Sequence, residues 1–251
     1  MAKHILHLFF LSTFSLNSWA ISVDSLFLKG NENYEKGNHI EAKNNYLSIY
    51  NEGYFSKELF LNLGNSYFKI DSIPQAILFY EKGLKIAPAE EDLIHNLKQC
   101  NLLIKDKNPI KKSILISELI YGFLGKSPNY WAYASIGLIS LVCILILFYR
   151  ISAEIKWKKI NFYSAIVVFI LFLFSVGLAW LSKNRVQDTN YAIMFSPSTK
   201  ILVEPLENDG ETAYILHEGS KVKIKTETSK WFEISFDKKV GWLKKHHVKK
   251  I

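Results

Sequence analysis

Residues 57–88 read KELFLNLGNSYFKIDSIPQAILFYEKGLKIAP, and the spacing inside this stretch decides the fold of the segment around it. Phe60, Leu63-Gly64, Tyr67, Ala76, Tyr80 and Pro88 set small and aromatic residues at helical intervals. The chemistry behind that pattern is packing. Gly64 and Ala76 let two helices approach closely, the aromatics fill the space between them, and Pro88 ends the second helix. The pattern has an echo 34 residues upstream. Gly30 aligns with Gly64, Asn31 with Asn65, Tyr34 with Phe68, Ala42 with Ala76 and Tyr46 with Tyr80.

A 34-residue period with these offsets resembles the tetratricopeptide repeat, a pair of antiparallel helices stacked on its neighbours. Residues 57–88 carry the fuller copy and 25–54 a partial one, where Lys29 and Asn33 replace apolar residues. Residues 90–106 give one further amphipathic helix, with Ile94 and Leu97 in register and Lys98 in place of the glycine, as a capping helix would. Two repeats are fewer than the three that usually make a stable stack, so part of the apolar face is expected to be covered by another element or a partner.

The resemblance implies an inner groove lined by the first helix of each repeat. Its candidates are Phe27, Asn31, Tyr34, Leu61, Asn65, Phe68, Lys69, His95 and Gln99. Asn31 and Asn65 stand where some repeat domains grip a peptide carboxylate. Phe27 occupies the place where that clamp needs a lysine. The alternative is that these are ordinary solvated positions.

Working outward, the chain has 251 residues and a formal net charge of +8. Its apolar residues are gathered into blocks. Residues 1–20 join a short basic start, an apolar run and Ser18-x-Ala20, the three-part pattern of a secretory signal cleaved after Ala20; an uncleaved anchor is the alternative. Residues 131–149 and 160–181 are free of charge and reach the roughly 20 residues that cross a hydrocarbon core. Tyr130, Trp131, Tyr133 and Trp180 are rings suited to the headgroup level. The loop 150–159 holds Arg150, Lys156, Lys158 and Lys159 and is expected inside. Exported flanks then place 21–106 and 192–251 together outside. Residues 107–130 form a connector, either an amphipathic interfacial helix or an extra packing helix, and 182–191 form a linker.

From 192 the pattern changes to five or so short alternating strands, expected to make a small all-β barrel. Leu216-His217-Glu218-Gly219, Trp231-x-x-Ile234 and Gly241-Trp242 resemble the bacterial SH3-like domain, which implies an aromatic groove of Tyr214, Trp231 and Trp242 for cell-wall peptides. The alternative is packing, with Trp242 mainly in the core and Trp231 partly covering it.

The chemistry of an enzyme is missing from the motifs: there is no phosphate-binding glycine loop, nucleophile elbow or His-Glu-x-x-His. Two cysteines exclude a disulfide scaffold and a four-thiolate metal site. His246-His247 reads as a solvated tail, and Cys100 and Cys143 as small apolar fillers. No cofactor or metal is expected, and the exported location argues against nucleic acid.

The fold expected is therefore a multi-domain membrane protein: helical repeat hairpins, two transmembrane helices and a C-terminal SH3-like barrel. That order resembles the E-type proteins of the Bacteroides aerotolerance (Bat) operon, most tellingly at Leu63-Gly64-Asn65-Ser66-Tyr67 and Asn129-Tyr130-Trp131-Ala132. The resemblance implies a non-enzymatic scaffold in the bacterial inner membrane with both soluble segments periplasmic. Its implied partners are membrane proteins with von Willebrand A domains, a MoxR-type ATPase system and the lipid bilayer. A peptidoglycan-binding sensor or anchor is the alternative.

Overall fold

The structure, a computed structural model, describes residues 17–107, 126–206 and 210–251. The apolar run of the expected signal, most of the 107–130 connector and the Glu207-Asn208-Asp209 turn lie outside the described residues. Two compact units are present: one joins the N-terminal helices to the C-terminal sheet, and the other holds residues 84–91 and 110–189.

Along the chain, α1 (Asn17–Glu35), α2 (His39–Asn51), α3 (Lys57–Lys69), α4 (Ile73–Ile86) and α5 (Glu91–Leu103) follow one another through short turns; they belong to the first unit except for residues 84–91. Gly37 and Gly53 adopt φ of +80° and +87° in the first two turns, a backbone open to glycine at little cost. Ser56 caps α3 by accepting the Leu59 N–H at 3.1 Å. Ala42, Tyr46, Leu59, Leu63, Ala76, Ile77, Tyr80 and Leu93 are buried almost completely. A Cβ on Gly30 would lie 2.5 Å from the Tyr46 ring, and one on Gly64 2.3 Å from the Tyr80 ring. Both glycines are therefore required by a ring that lies flush on the backbone of its partner helix.

The C-terminal segment of this unit is a seven-stranded antiparallel sheet in the order β3-β2-β6-β5-β4-β1-β7. Its strands are β1 (Tyr191–Met194), β2 (Ser198–Leu202), β3 (Thr212–His217), β4 (Lys221–Glu227), β5 (Trp231–Phe236), β6 (Lys239–Lys244) and β7 (Val248–Lys250). The core contains Met194, Ile201, Leu216, Val222, Phe232, Ile234 and Leu243. Seven strands replace the five or so expected because both ends of the segment are used. The supposed solvated tail becomes a 3-10 turn, Lys245–His247, followed by β7, whose Val248 is buried against β1. The β5–β6 hairpin turns through Asp237 and Lys238 at φ of 43° and 68°, the left-handed pair that two-residue hairpin turns demand.

Helix and sheet meet at a polar clasp. The Asp106 carboxylate accepts from the His217 backbone N–H at 2.7 Å and the Ser220 hydroxyl at 3.3 Å, and lies 3.0 Å from His217 Nδ1. Lys105 Nζ stands 3.0 Å from His217 Nε2. Lys221 pairs with Glu81 at 2.6 Å. Gly219, at φ +82°, lies against Ile104 and Ile77, where a Cβ would come within 2.4 Å of the Ile104 side chain. The sheet thus covers Ile77 and Ile104 of the helical segment.

The second unit contains α6 (Pro128–Ile151) and α7 (Ile155–Gln187), two helices long and apolar enough to cross a membrane. They pair through small residues: Ser135 and Ser175 hydroxyls are 3.0 Å apart and both reach the Trp131 carbonyl. Ile136, Leu147, Phe169 and Leu173 point outward and are exposed. Cys143 is also on the outward side, so it does not fill a packing gap; Cys100 is buried.

Candidate functional site

Two hydrogen-bonded triads organise the helical segment. Asn31 Oδ1 accepts from the Tyr46 hydroxyl at 2.7 Å and from Asn62 Nδ2 at 3.1 Å. Asn65 Oδ1 accepts from the Tyr80 hydroxyl at 2.7 Å and from Asn96 Nδ2 at 2.8 Å. Each residue of the second triad lies 34 positions after its counterpart. Two donors on one oxygen fix the amide orientation, since a flipped Asn65 would set its NH2 against that of Asn96. The Asn65 Nδ2 donor is thereby directed away from the triad.

Asn65 lines a cavity of about 220 Å³ with Tyr34 of α1, Phe68 and Lys69 of α3, Tyr80 of α4, and Asn96 and Gln99 of α5. The volume suits one or two side chains of a docked segment and falls below the several hundred cubic ångströms that cofactors need. Lys69 is its single charged group, exposed at the C-terminal end of α3. Phe68 and Tyr34 give half-buried aromatic walls, and Gln99 is exposed at the rim. Burial raises the Tyr34 and Tyr80 hydroxyls above their ordinary value, so both remain neutral donors at physiological pH. The site offers amide and ammonium donors beside apolar walls, a surface for a carbonyl-rich or acidic peptide.

Five of the nine groove candidates, Tyr34, Asn65, Phe68, Lys69 and Gln99, therefore share one cavity. Asn31 is held in the first triad and does not line it. Leu61 is half-buried and His95 exposed, both outside the cavity. Phe27 packs against Tyr46 with ring centres 5.6 Å apart, so a packing residue stands at the clamp position. Asn62 and Asn96 were not among the candidates, and Tyr80 stood in the pattern only as a packing aromatic. Their signal was present, because Asn62 and Asn96 are themselves 34 apart.

The three candidates on the sheet do not converge. Tyr214 pairs with Ile201 and packs against the core, whereas Trp231 and Trp242 lie on the opposite face of β5 and β6, across from Lys244 and Glu233. The expected order of burial is also reversed: Trp231 is 8% exposed and Trp242 half-buried. The reason is the register, in which Gly241 and Leu243 take the core side of β6 and leave Trp242 outside.

No protein-family model matches this chain, and no curated protein matches it. The resemblance described above rests on the named residues and the order of the segments.

Proposed function

We propose that this chain is a non-enzymatic, membrane-held scaffold of the Bat E type. In this reading α1–α5 are tetratricopeptide repeats, α6 and α7 span the bacterial inner membrane, and the sheet is an SH3-like domain beside the repeats on the periplasmic side. The cavity at Asn65 and Lys69 receives an acceptor-rich segment of a partner, for which membrane proteins with von Willebrand A domains, working with a MoxR-type ATPase, are the family's candidates.

The observation that carries the reading is the Asn65 amide. Its oxygen is committed to Tyr80 and Asn96, and the residue lines a cavity together with an exposed lysine and two aromatic walls. A preorganised polar residue next to a charge and an apolar pocket suits an extended peptide. The wall-binding alternative has no comparable support, since Tyr214, Trp231 and Trp242 do not share a face.

The test is affinity capture from membranes in mild detergent. The wild-type chain should recover a von Willebrand A membrane protein, and Lys69→Glu should recover about tenfold less, the effect of losing roughly 1.4 kcal/mol at one anchor. Equal recovery by the variant, or recovery of wall fragments instead, would overturn the proposal. Asn65→Ala is a poor probe, because it also strips Tyr80 and Asn96 of their acceptor.

A further inference from the structure

β2 and β6 are neighbours in the sheet but share one register pair, Leu202 with Trp242. Beyond that pair the strands part, and the wedge between them is a cavity of about 380 Å³. Core-side residues Thr199 and Leu243 and outer-side residues Lys200 and Lys244 all reach it, as they must where a sheet opens. Ser198, Thr212, Trp231, His246 and His247 complete its polar and aromatic lining.

Two features of the wedge point to a ligand. Lys200 and Lys244 pair with no carboxylate among the described residues, and Lys244 is positioned over the Trp231 ring at 5.5 Å. His247 is fixed by Ser196, with Nδ1 2.7 Å from Oγ, which leaves Nε2 for another partner.

We propose that the wedge between β2 and β6 binds a phosphate group. Two lysines, two histidines, Ser198 and Thr212 line one space and bring donor groups to it from several strands. That suits a tetrahedral oxyanion better than a planar carboxylate, which is matched by the fork of an arginine, and no arginine lines the wedge. Trp231 and Leu202 supply an apolar flank for whatever carries the phosphate. Burial, then the charges of His246 and Lys244, hold the His247 imidazole below its ordinary value, as an excess of positive charge requires. The phosphate could belong to a soluble monoester or to a lipid headgroup, and the test separates the two. The site stands independently of the repeat groove.

The experiment uses the full chain, labelled with 13C-histidine, in a phosphate-free non-ionic detergent at constant ionic strength. Titration with inorganic phosphate should shift the His246 and His247 signals saturably and leave His95 unmoved, and acetate should give no such shift. Lys200→Gln with Lys244→Gln should weaken the apparent affinity tenfold or more. Tighter binding of glycerol 3-phosphate would assign a soluble ester. The same shifts in phosphatidylglycerol nanodiscs, without added phosphate, would assign a headgroup. Absence of saturation, an equal response to acetate, or an unchanged affinity in the double lysine variant would overturn the proposal.

Discussion

The two 34-residue copies build the same triad in different surroundings. Asn31, Tyr46 and Asn62 repeat the two bonds to the asparagine oxygen made by Asn65, Tyr80 and Asn96, yet the cavity opens at the second triad. Helix α3 has a neighbour on each side, with α1 contributing Tyr34 and α5 contributing Gln99. The residues facing outward also differ: Glu35 stands 34 positions before Lys69, so the charge is reversed. A repeated residue therefore reports shared packing, and the site arises where unrepeated residues surround it.

The largest effect expected is steric. Gly64→Ala and Gly30→Ala should each destabilise their hairpin by about 3 kcal/mol, because the new methyl meets a buried ring rather than a flexible chain end. Hydrogen exchange of the α1–α4 amides reads each loss locally. If either glycine tolerates the methyl, the equivalence of the copies fails.

Next in size are the triads. Tyr80→Phe and Tyr46→Phe should each cost about 1 kcal/mol, since one buried acceptor loses a donor in either case. Partner capture should fall with Tyr80→Phe alone, because that triad alone lines the cavity. Equal losses of capture would erase the distinction between copies.

An alkaline titration sharpens the same contrast. Burial pushes the Tyr46 hydroxyl and the Cys100 thiol up to about 12 from ordinary values of 10.0 and 9.0. A folded value above the unfolded one gives stability that is complete below the unfolded value and lost as pH rises toward the folded one. Stability of the helices should therefore fall between pH 9 and about pH 12. Cys100→Ala should remove the first part of that fall, and an unchanged profile would refute the burial argument. Smallest is Lys238→Gly in the β5–β6 turn, expected to stabilise the sheet by about 0.5–1 kcal/mol through relief of a left-handed backbone; no gain in urea resistance would contradict it.

Much of the helical segment was legible because glycine, alanine and aromatic spacing records contact between neighbouring helices. Gly64 beside Tyr80 is such a contact. The apolar windows of α6 and α7 were legible for a simpler reason, being uninterrupted by charge. Other features left no trace. Asp106 meets His217 across 111 positions, and a pair so far apart has no periodicity to betray it. β7 was hidden because three residues among lysines look like a tail until Val248 finds β1. The faces of Trp231 and Trp242 depended on register, where a shift of one residue moves every side chain across the sheet.

The central claim is that the Asn65 cavity holds a partner. A photo-crosslinking residue in place of Gln99, at the exposed rim, tests it most directly when activated in living cells and followed by mass spectrometry. The account predicts one dominant adduct, to a segment of a membrane protein rich in carbonyl or acidic groups, and its disappearance when Lys69→Glu is added. Adducts that form equally with and without Lys69, or none beyond those within the chain, would contradict it.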